Sequence, residues 1–226
     1  MTQNLQAVED DFDSVEQAIA AIAAGGFAVV VDDTDRENEG DLIIAAEKIT
    51  AAQMAFLVHY SSGVVCVALT GERLDQLQLP LMVSSNNESQ RTAFTVTVDY
   101  LHGTSTGISA ADRAATLRAL ADSRIPASDF ARPGHIFPLR YAPGGVLARP
   151  GHTEAALDLS RLAGLAPAGV LCEIVNDDGS MARRPELLHF ARQHGLPIIT
   201  IADLIAYRER TEMAALAAAV PEGVPA

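Results

Sequence analysis

The sequence predicts a layered α+β fold built on a mixed β-sheet. Three observations predict it. Short apolar runs alternate with stretches of helical period, several of those runs follow one another with no helix between them, and no linker divides the 226 residues. Regular alternation of helix and strand would give a doubly wound parallel sheet, whereas strand following strand brings in antiparallel pairing. One domain is expected over residues 14–209, between a flexible N-terminus (1–13) and a frayed, Ala-rich then Pro-Gly-rich tail (210–226).

The first helix opens at Ser14, with Gln17 at capping-box spacing. Val15, Ala18, Ile19 and Ile22 line one face, and Gly25-Gly26 stops it. Residues 27–31 form an apolar, β-branched run that reads as a buried strand, and 42–46 reads as another. A helix is expected over 51–60 after Thr50, a strand over 63–69 and a short helix over 71–77. Residues 84–91 are polar without apolar period and read as a loop, and 94–100 alternates with Thr and reads as a strand. Residues 103–107 are a loop before a helix over 109–121, and the Pro- and Gly-rich 126–150 is expected to be irregular or made of brief strands. Beyond it come a helix (153–163), a strand (169–175), a turn (176–179), a helix (184–194), a strand (198–201) and the start of a last helix (202–207).

Net charge is −13, with a pI near 4.7. Such a surface repels phosphate backbones and anionic membranes, so neither is an expected partner. An anionic substrate would need a local cation or basic pocket. Two cysteines, both in apolar runs, fit a reducing compartment. No signal peptide is visible, and no apolar run is long enough to span a bilayer, so a cytoplasmic location is expected.

Residues 32–41, Asp-Asp-Thr-Asp-Arg-Glu-Asn-Glu-Gly-Asp, pack six carboxylates and one Arg directly after a strand. Carboxylates this dense bind a hard cation, face solvent or pair with bases. An EF-hand fails, because Ala46 stands at its twelfth position and the flanks read as strands. The tetrapeptide Arg-Pro-Gly-His occurs at 132–135 and again at 149–152, each placing a His at a turn beside an Arg. One such His is most often structural. The second opens a helix, where free N–H groups, Thr153 and Arg149 suit a phosphate and His152 can offer nitrogen to a metal. Glu173 follows Cys172 in an apolar strand. Either alternation points it outward, or it is a desolvated general acid or base. Residues 103–109 are a hydroxyl-and-glycine loop that reads as an ordinary N-cap or an anion cradle. Cys66 reads as a buried core thiol.

Together, residues 32–41, Gly107-Ile108-Ser109-Ala110-Ala111-Asp112-Arg113, Arg132-Pro133-Gly134-His135, Gly151-His152-Thr153-Glu154-Ala155 and 167–173 resemble the 3,4-dihydroxy-2-butanone 4-phosphate synthase family. The resemblance runs from about Ser14 to Tyr207 and implies a three-layer single domain, its mixed β-sheet flanked by helices. It also implies a homodimer with active sites near the interface. Mg2+ is the implied cofactor, with Mn2+ as a substitute, and the implied reaction turns D-ribulose 5-phosphate into L-3,4-dihydroxy-2-butanone 4-phosphate and formate. Carried over, metal ligands fall on Glu37 and His152, and catalysis on His135 and Glu173. Substrate contacts fall on Arg36, Glu37, Asp41, Arg149, Pro150, Gly151, His152, Thr153 and Glu173. Pro150 departs from the small residue expected there, and proline has no N–H to offer a phosphate. A second, cyclohydrolase domain is not expected within these 226 residues. The rival readings are a metal-dependent phosphosugar isomerase or epimerase, and a non-catalytic nucleotide- or RNA-binding module.

Overall fold

The computed structural model describes residues 12–219. Seven strands form one mixed sheet in the order β4-β5-β3-β6-β2-β1-β7. They are β1 (Ala28–Val31), β2 (Gly40–Ala45), β3 (Cys66–Leu69), β4 (Val98–Tyr100), β5 (Phe130–Arg140), β6 (Ala168–Glu173) and β7 (Ile198–Thr200). The pairs β1/β7 and β3/β5 are parallel, and the other neighbours are antiparallel.

Strand alternation divides the core in two. Val29, Val31, Leu42, Ile44, Val67, Leu69 and Val170 point to one face, which α2 (Ala51–Tyr60), α3 (Gly71–Gln76), α4 (Ala110–Ala121) and α6 (Arg184–His194) cover. Ala28, Val30, Ile43, Ala45, Ala68 and Leu171 point to the other, under α1 (Val15–Ala23), α5 (His152–Leu162) and α7 (Ile201–Ala219). The result is three layers. Helix α5 is buried on every side from His152 to Ser160, so whatever its first turn carries is fixed by the core itself.

The caps at Ser14, Thr50 and Ser109 form as the spacing predicts. Several elements differ from expectation. Residues 130–140 are one long strand despite their Pro and Gly, because β3 and β4 supply ladder partners on both sides. Of 94–100 only Val98–Tyr100 is regular, with Phe94 and Thr95 making isolated bridges. Strand β3 begins at Cys66 rather than at residue 63. Helix α7 runs to Ala219, past the expected fraying point. Its Arg208 holds the buried Asp158 of α5 at 2.7 Å, an ion pair that continues the helix beyond its apolar start. Most of the expected flexible N-terminus, and residues 220–226 of the expected tail, lie outside the described residues. Among the described residues no helix is long and apolar enough to cross a membrane.

Candidate active site

The acidic segment 32–39 links β1 to β2, and Asp32 gives it shape. This carboxylate is 2% exposed; Oδ1 accepts the Glu39 N–H at 2.9 Å, and Oδ2 accepts the Glu37 N–H and Arg36 Nη1, each at 3.0 Å. Arg183 of the segment before α6 donates to the Glu37 and Asn38 carbonyls from the other side. The loop therefore is only in part a solvated acidic run: Asp33 and Asp35 are exposed, whereas Asp32 is buried and Glu37 and Glu39 are half-buried. Strand β2 starts earlier than expected, at Gly40, which places Asp41 inside the sheet at 2% exposure, directly opposite Glu173 of β6.

Helix α5 brings the second half. His152 is buried, and its Nε2 stands 3.1 Å from the Val30 carbonyl. A carbonyl only accepts, so Nε2 carries a proton and Nδ1 is turned to Glu37 Oε2 at 3.4 Å and Asp41 Oδ1 at 3.8 Å. Gly151 puts no side chain at the cap, so N–H groups of the first turn stay available to an anion. Arg149 is not a free cation. It pairs with the buried Glu154 at 2.6 Å and donates to the Gln90 carbonyl and Thr92 Oγ1 at 3.2 and 3.3 Å. Ser62 Oγ donates to Glu173 Oε2 at 2.6 Å.

Arg36, Glu37, Asp41, Arg149, His152, Thr153 and Glu173 thus line one pocket. Gly151 backs it, close against Arg149 and Arg36, where a side chain would meet their guanidinium groups. Pro150 does not line it and faces a neighbouring depression behind the acidic loop. His135 does not line it either. It lies on β5, two residues along from the row Phe137–Cys66–Leu171, which sets it roughly two strand spacings (about 10 Å) from Glu173. Sequence reasoning missed Asp32, Glu39, Cys66, Thr92 and Phe94 around this pocket. The position of Asp32 at a strand end was the available signal; Cys66 offered none, since only strand parity turns it inward.

Electrostatics follow from crowding five carboxylates around one imidazole. The His152 hydrogen bond and Arg36 hold the Glu37 carboxyl below its usual value, while burial and then the Glu37 charge push Glu39 up. Burial pushes Asp41 up to about 8, with Glu173, Glu37 and Glu39 adding to the effect against His152. Burial works against the His152 cation, but Asp41, Glu37 and Asp32 outweigh it and raise the imidazole to about 9. Among the described residues the buried Asp41 Oδ1 has no hydrogen-bond partner. At neutral pH this cluster holds protons where a cation would sit.

Asp32, Glu37 and His152 bring one ligand atom each within 4.8 Å of one another. Asp32 is engaged by the loop's own N–H groups, which leaves Glu37 and His152 as the ligands free to act. A carboxylate, one imidazole and an otherwise open site suit a hard divalent cation that keeps waters and takes substrate oxygens. The Val30 carbonyl supplies the outer contact that orients a ligating imidazole.

A sequence profile of 3,4-dihydroxy-2-butanone 4-phosphate synthase matches residues 16–207. The chain belongs to that family. It is 61% identical over 193 residues to the 3,4-dihydroxy-2-butanone 4-phosphate synthase of Agrobacterium fabrum, covering 85% of this chain and 91% of that one. It is also 61% identical over 201 residues to the riboflavin biosynthesis protein RibBA of Salinispora arenicola, covering 89% of this chain and 48% of that longer protein. A crystal structure of a 3,4-dihydroxy-2-butanone 4-phosphate synthase in complex with two magnesium ions superposes with a TM-score of 0.87 at 51% identity, covering 89% of this chain and 99% of the other. Residues 32–41, 151–155 and 167–173 line the pocket together with Cys66, Thr92, Phe94, Leu139 and Arg149, whereas Arg132–His135 stands outside it.

Proposed function

We propose that this chain converts D-ribulose 5-phosphate to L-3,4-dihydroxy-2-butanone 4-phosphate and formate, as one synthase domain over residues 14–209. The observation that carries the reading is a single pocket that joins the Glu37–His152 pair, the Asp41–Glu173 carboxylates and the Arg149–Thr153 helix start. Five carbons leave as four plus one, with no oxidant and no net water, so the work falls on proton transfer and charge stabilisation.

Glu37 and His152 are the groups that would hold Mg2+, or Mn2+ in its place. When bound, the ion supplies Lewis-acid stabilisation of negative charge developing on substrate oxygens. Arg149, Thr153 and the first N–H groups of α5 hold the phosphate. Glu173, oriented by Ser62, and His135 take and return protons as an enediol forms, water leaves, the skeleton rearranges and one water adds back to release the terminal carbon as formate. The acidic loop, set by Asp32, excludes water from the reacting carbons.

His135 belongs to this scheme through a homodimer in which it completes the partner's pocket. Its ring is 41% exposed, and the nearby Leu101 and Ile108 are exposed apolar side chains of the kind an interface covers. Mixing His135→Ala with Glu173→Gln protein should then restore activity that neither variant has alone. No recovery on subunit exchange would place both residues in one subunit's site.

The assay for the reaction is formate release from ribulose 5-phosphate, first with Mg2+ and then with EDTA. One formate per substrate, abolished by EDTA, is expected. Consumption without formate would mean an isomerase-type activity instead.

A further inference from the structure

We propose that Asp99 is the positioning residue for His135. It holds the imidazole with its hydrogen on Nδ1, so that Nε2 is presented as the proton acceptor. The inference rests on the reading that His135 takes part in catalysis.

Asp99 Oδ2 lies 2.6 Å from His135 Nδ1, and Asp99 Oδ1 accepts the His135 backbone N–H at 2.9 Å. One carboxylate thus grips both ring and main chain. An ionised carboxylate accepts only, so the hydrogen in the shorter contact sits on Nδ1 and the Nε2 lone pair is free. A buried or half-buried carboxylate oriented on Nδ1 is the means by which a catalytic imidazole is kept in its working tautomer.

The surroundings are shaped to this pair. In the β4/β5 ladder Val98 faces Ile136 but Asp99 faces Ala131, so residues 132–135 bulge out of the strand. Bulges of this kind re-aim a side chain. The Gly134 N–H donates to Thr97 Oγ1 at 3.1 Å, and a Cβ on Gly134 would stand 2.0 Å from the Val98 carbonyl carbon. From the opposite side comes Gly107, at φ +90°, where a Cβ would stand 2.1 Å from Asp99 Oδ2 and 2.8 Å from His135 Nδ1. Asp112, in the first turn of α4, seats that loop by accepting from Ser105 Oγ at 2.7 Å and from the Gly107 N–H at 3.1 Å. Two segments from distant parts of the sequence therefore leave out side chains at the points where they would displace the dyad. The segment 107–112 so acquires a task that the pocket itself does not give it. Exposed ion pairs add little to stability, and this one is part-exposed on the imidazole side, so fold maintenance alone does not call for such construction.

Asp99→Asn is the deciding variant. Its amide oxygen can still take the His135 N–H, but its NH2 then faces the ring, which must accept at Nδ1 and carry its hydrogen on Nε2. The expected result is a kcat for formate release reduced by about 10²- to 10⁴-fold, with KM and Mg2+ dependence essentially unchanged. Imidazole 15N NMR should show the His135 hydrogen moving from Nδ1 to Nε2. Asp99→Glu should recover part of kcat, and Asp99→Asn should add nothing to the loss in His135→Ala. Wild-type kcat in Asp99→Asn beside an inactive His135→Ala would overturn the proposal, as would equal losses in the Asn and Glu variants with the tautomer unmoved. Wild-type kcat in His135→Ala would instead remove His135 from catalysis, which is a failure of the underlying reading and is distinguishable from the first.

Discussion

Binding of a divalent cation to this pocket should release a proton at neutral pH. His152 Nδ1 faces Glu37 Oε2 at 3.4 Å, so an ion held by both would compete with a proton on the imidazole Nδ1. The surrounding carboxylates raise His152 from 6.5 to about 9, against the effect of burial. A protonated imidazole has no lone pair on Nδ1, so acid weakens the site and alkali strengthens it until about pH 9, where the free protein has already lost the proton. Each pH unit below that point is worth about 1.4 kcal/mol, or tenfold in Kd, for one displaced proton. Between pH 6.5 and 8.5 the Kd for Mg2+ should therefore fall by about a hundredfold. Release of the Asp41 proton as well would steepen the slope below about pH 8. Calorimetric titration of metal-free protein in two buffers of different ionisation enthalpy counts the protons directly. A Kd flat from pH 7 to 8.5, with no proton released at pH 7, would refute the reasoning, since an ordinary imidazole is already neutral there.

Three further outcomes are expected. Glu154→Ala frees Arg149 from its 2.6 Å clamp and should raise KM for ribulose 5-phosphate several-fold while changing kcat little; an unchanged KM would mean that Arg149 needs no holding. Asp158→Ala strands the Tyr141 hydroxyl and the Val146 N–H and leaves Arg208 only the Gly144 carbonyl and Glu212, and should cost about 3–5 kcal/mol in a urea melt. A loss under 1 kcal/mol would show that water replaces it readily. Arg91 sits at φ 53° in the exposed loop before Thr92, a conformation glycine adopts freely. Arg91→Gly should raise Tm by about 2 °C, from roughly 1 kcal/mol of relieved strain, and a lowered Tm would mean that the arginine side chain holds the loop.

What the sequence discloses depends on how local the cause is. Helix caps at Ser14, Thr50 and Ser109 and the stops after α1 and α6 rest on residues three or four apart, and those elements are where the pattern puts them. Strand β5 has no local signature, because Pro133 and Gly134 argue for a turn, and only its two ladder partners make it a strand. The loop 84–91 is similar. It lacks any apolar period, yet Glu88 accepts the Gln90 and Thr92 N–H groups, which holds its carboxyl down at about 2 and sets Thr92 against Arg149. For the site, Glu37, Asp41, His152 and Glu173 stand out as charges in places that disfavour charge. Asp32 hides among its acidic neighbours, and its burial arises from the tertiary fold.

On the proposed function, the pocket's own charges give an anionic substrate a reason to require a cation. Its guanidinium groups are already paired by carboxylates, Arg36 by Asp32 and Glu37 and Arg149 by Glu154, so neither brings net positive charge to the pocket. Against them stand Glu37, Glu39, Asp41 and Glu173 in a chain of net charge −13. Without a divalent ion the field around α5 opposes a phosphate ester, and the pocket lowers its own charge by keeping protons on His152 and Asp41. On the proposed reading an ion on Glu37 would answer the carboxylate that competes for Arg36, so one binding event would add one net positive charge, two from the ion less the proton displaced from His152, and loosen Arg36 toward the substrate. On the proposed reading the acidic loop becomes a substrate site only once Glu37 holds the ion, which gives Arg36 a reason to stand beside the carboxylates that compete for it.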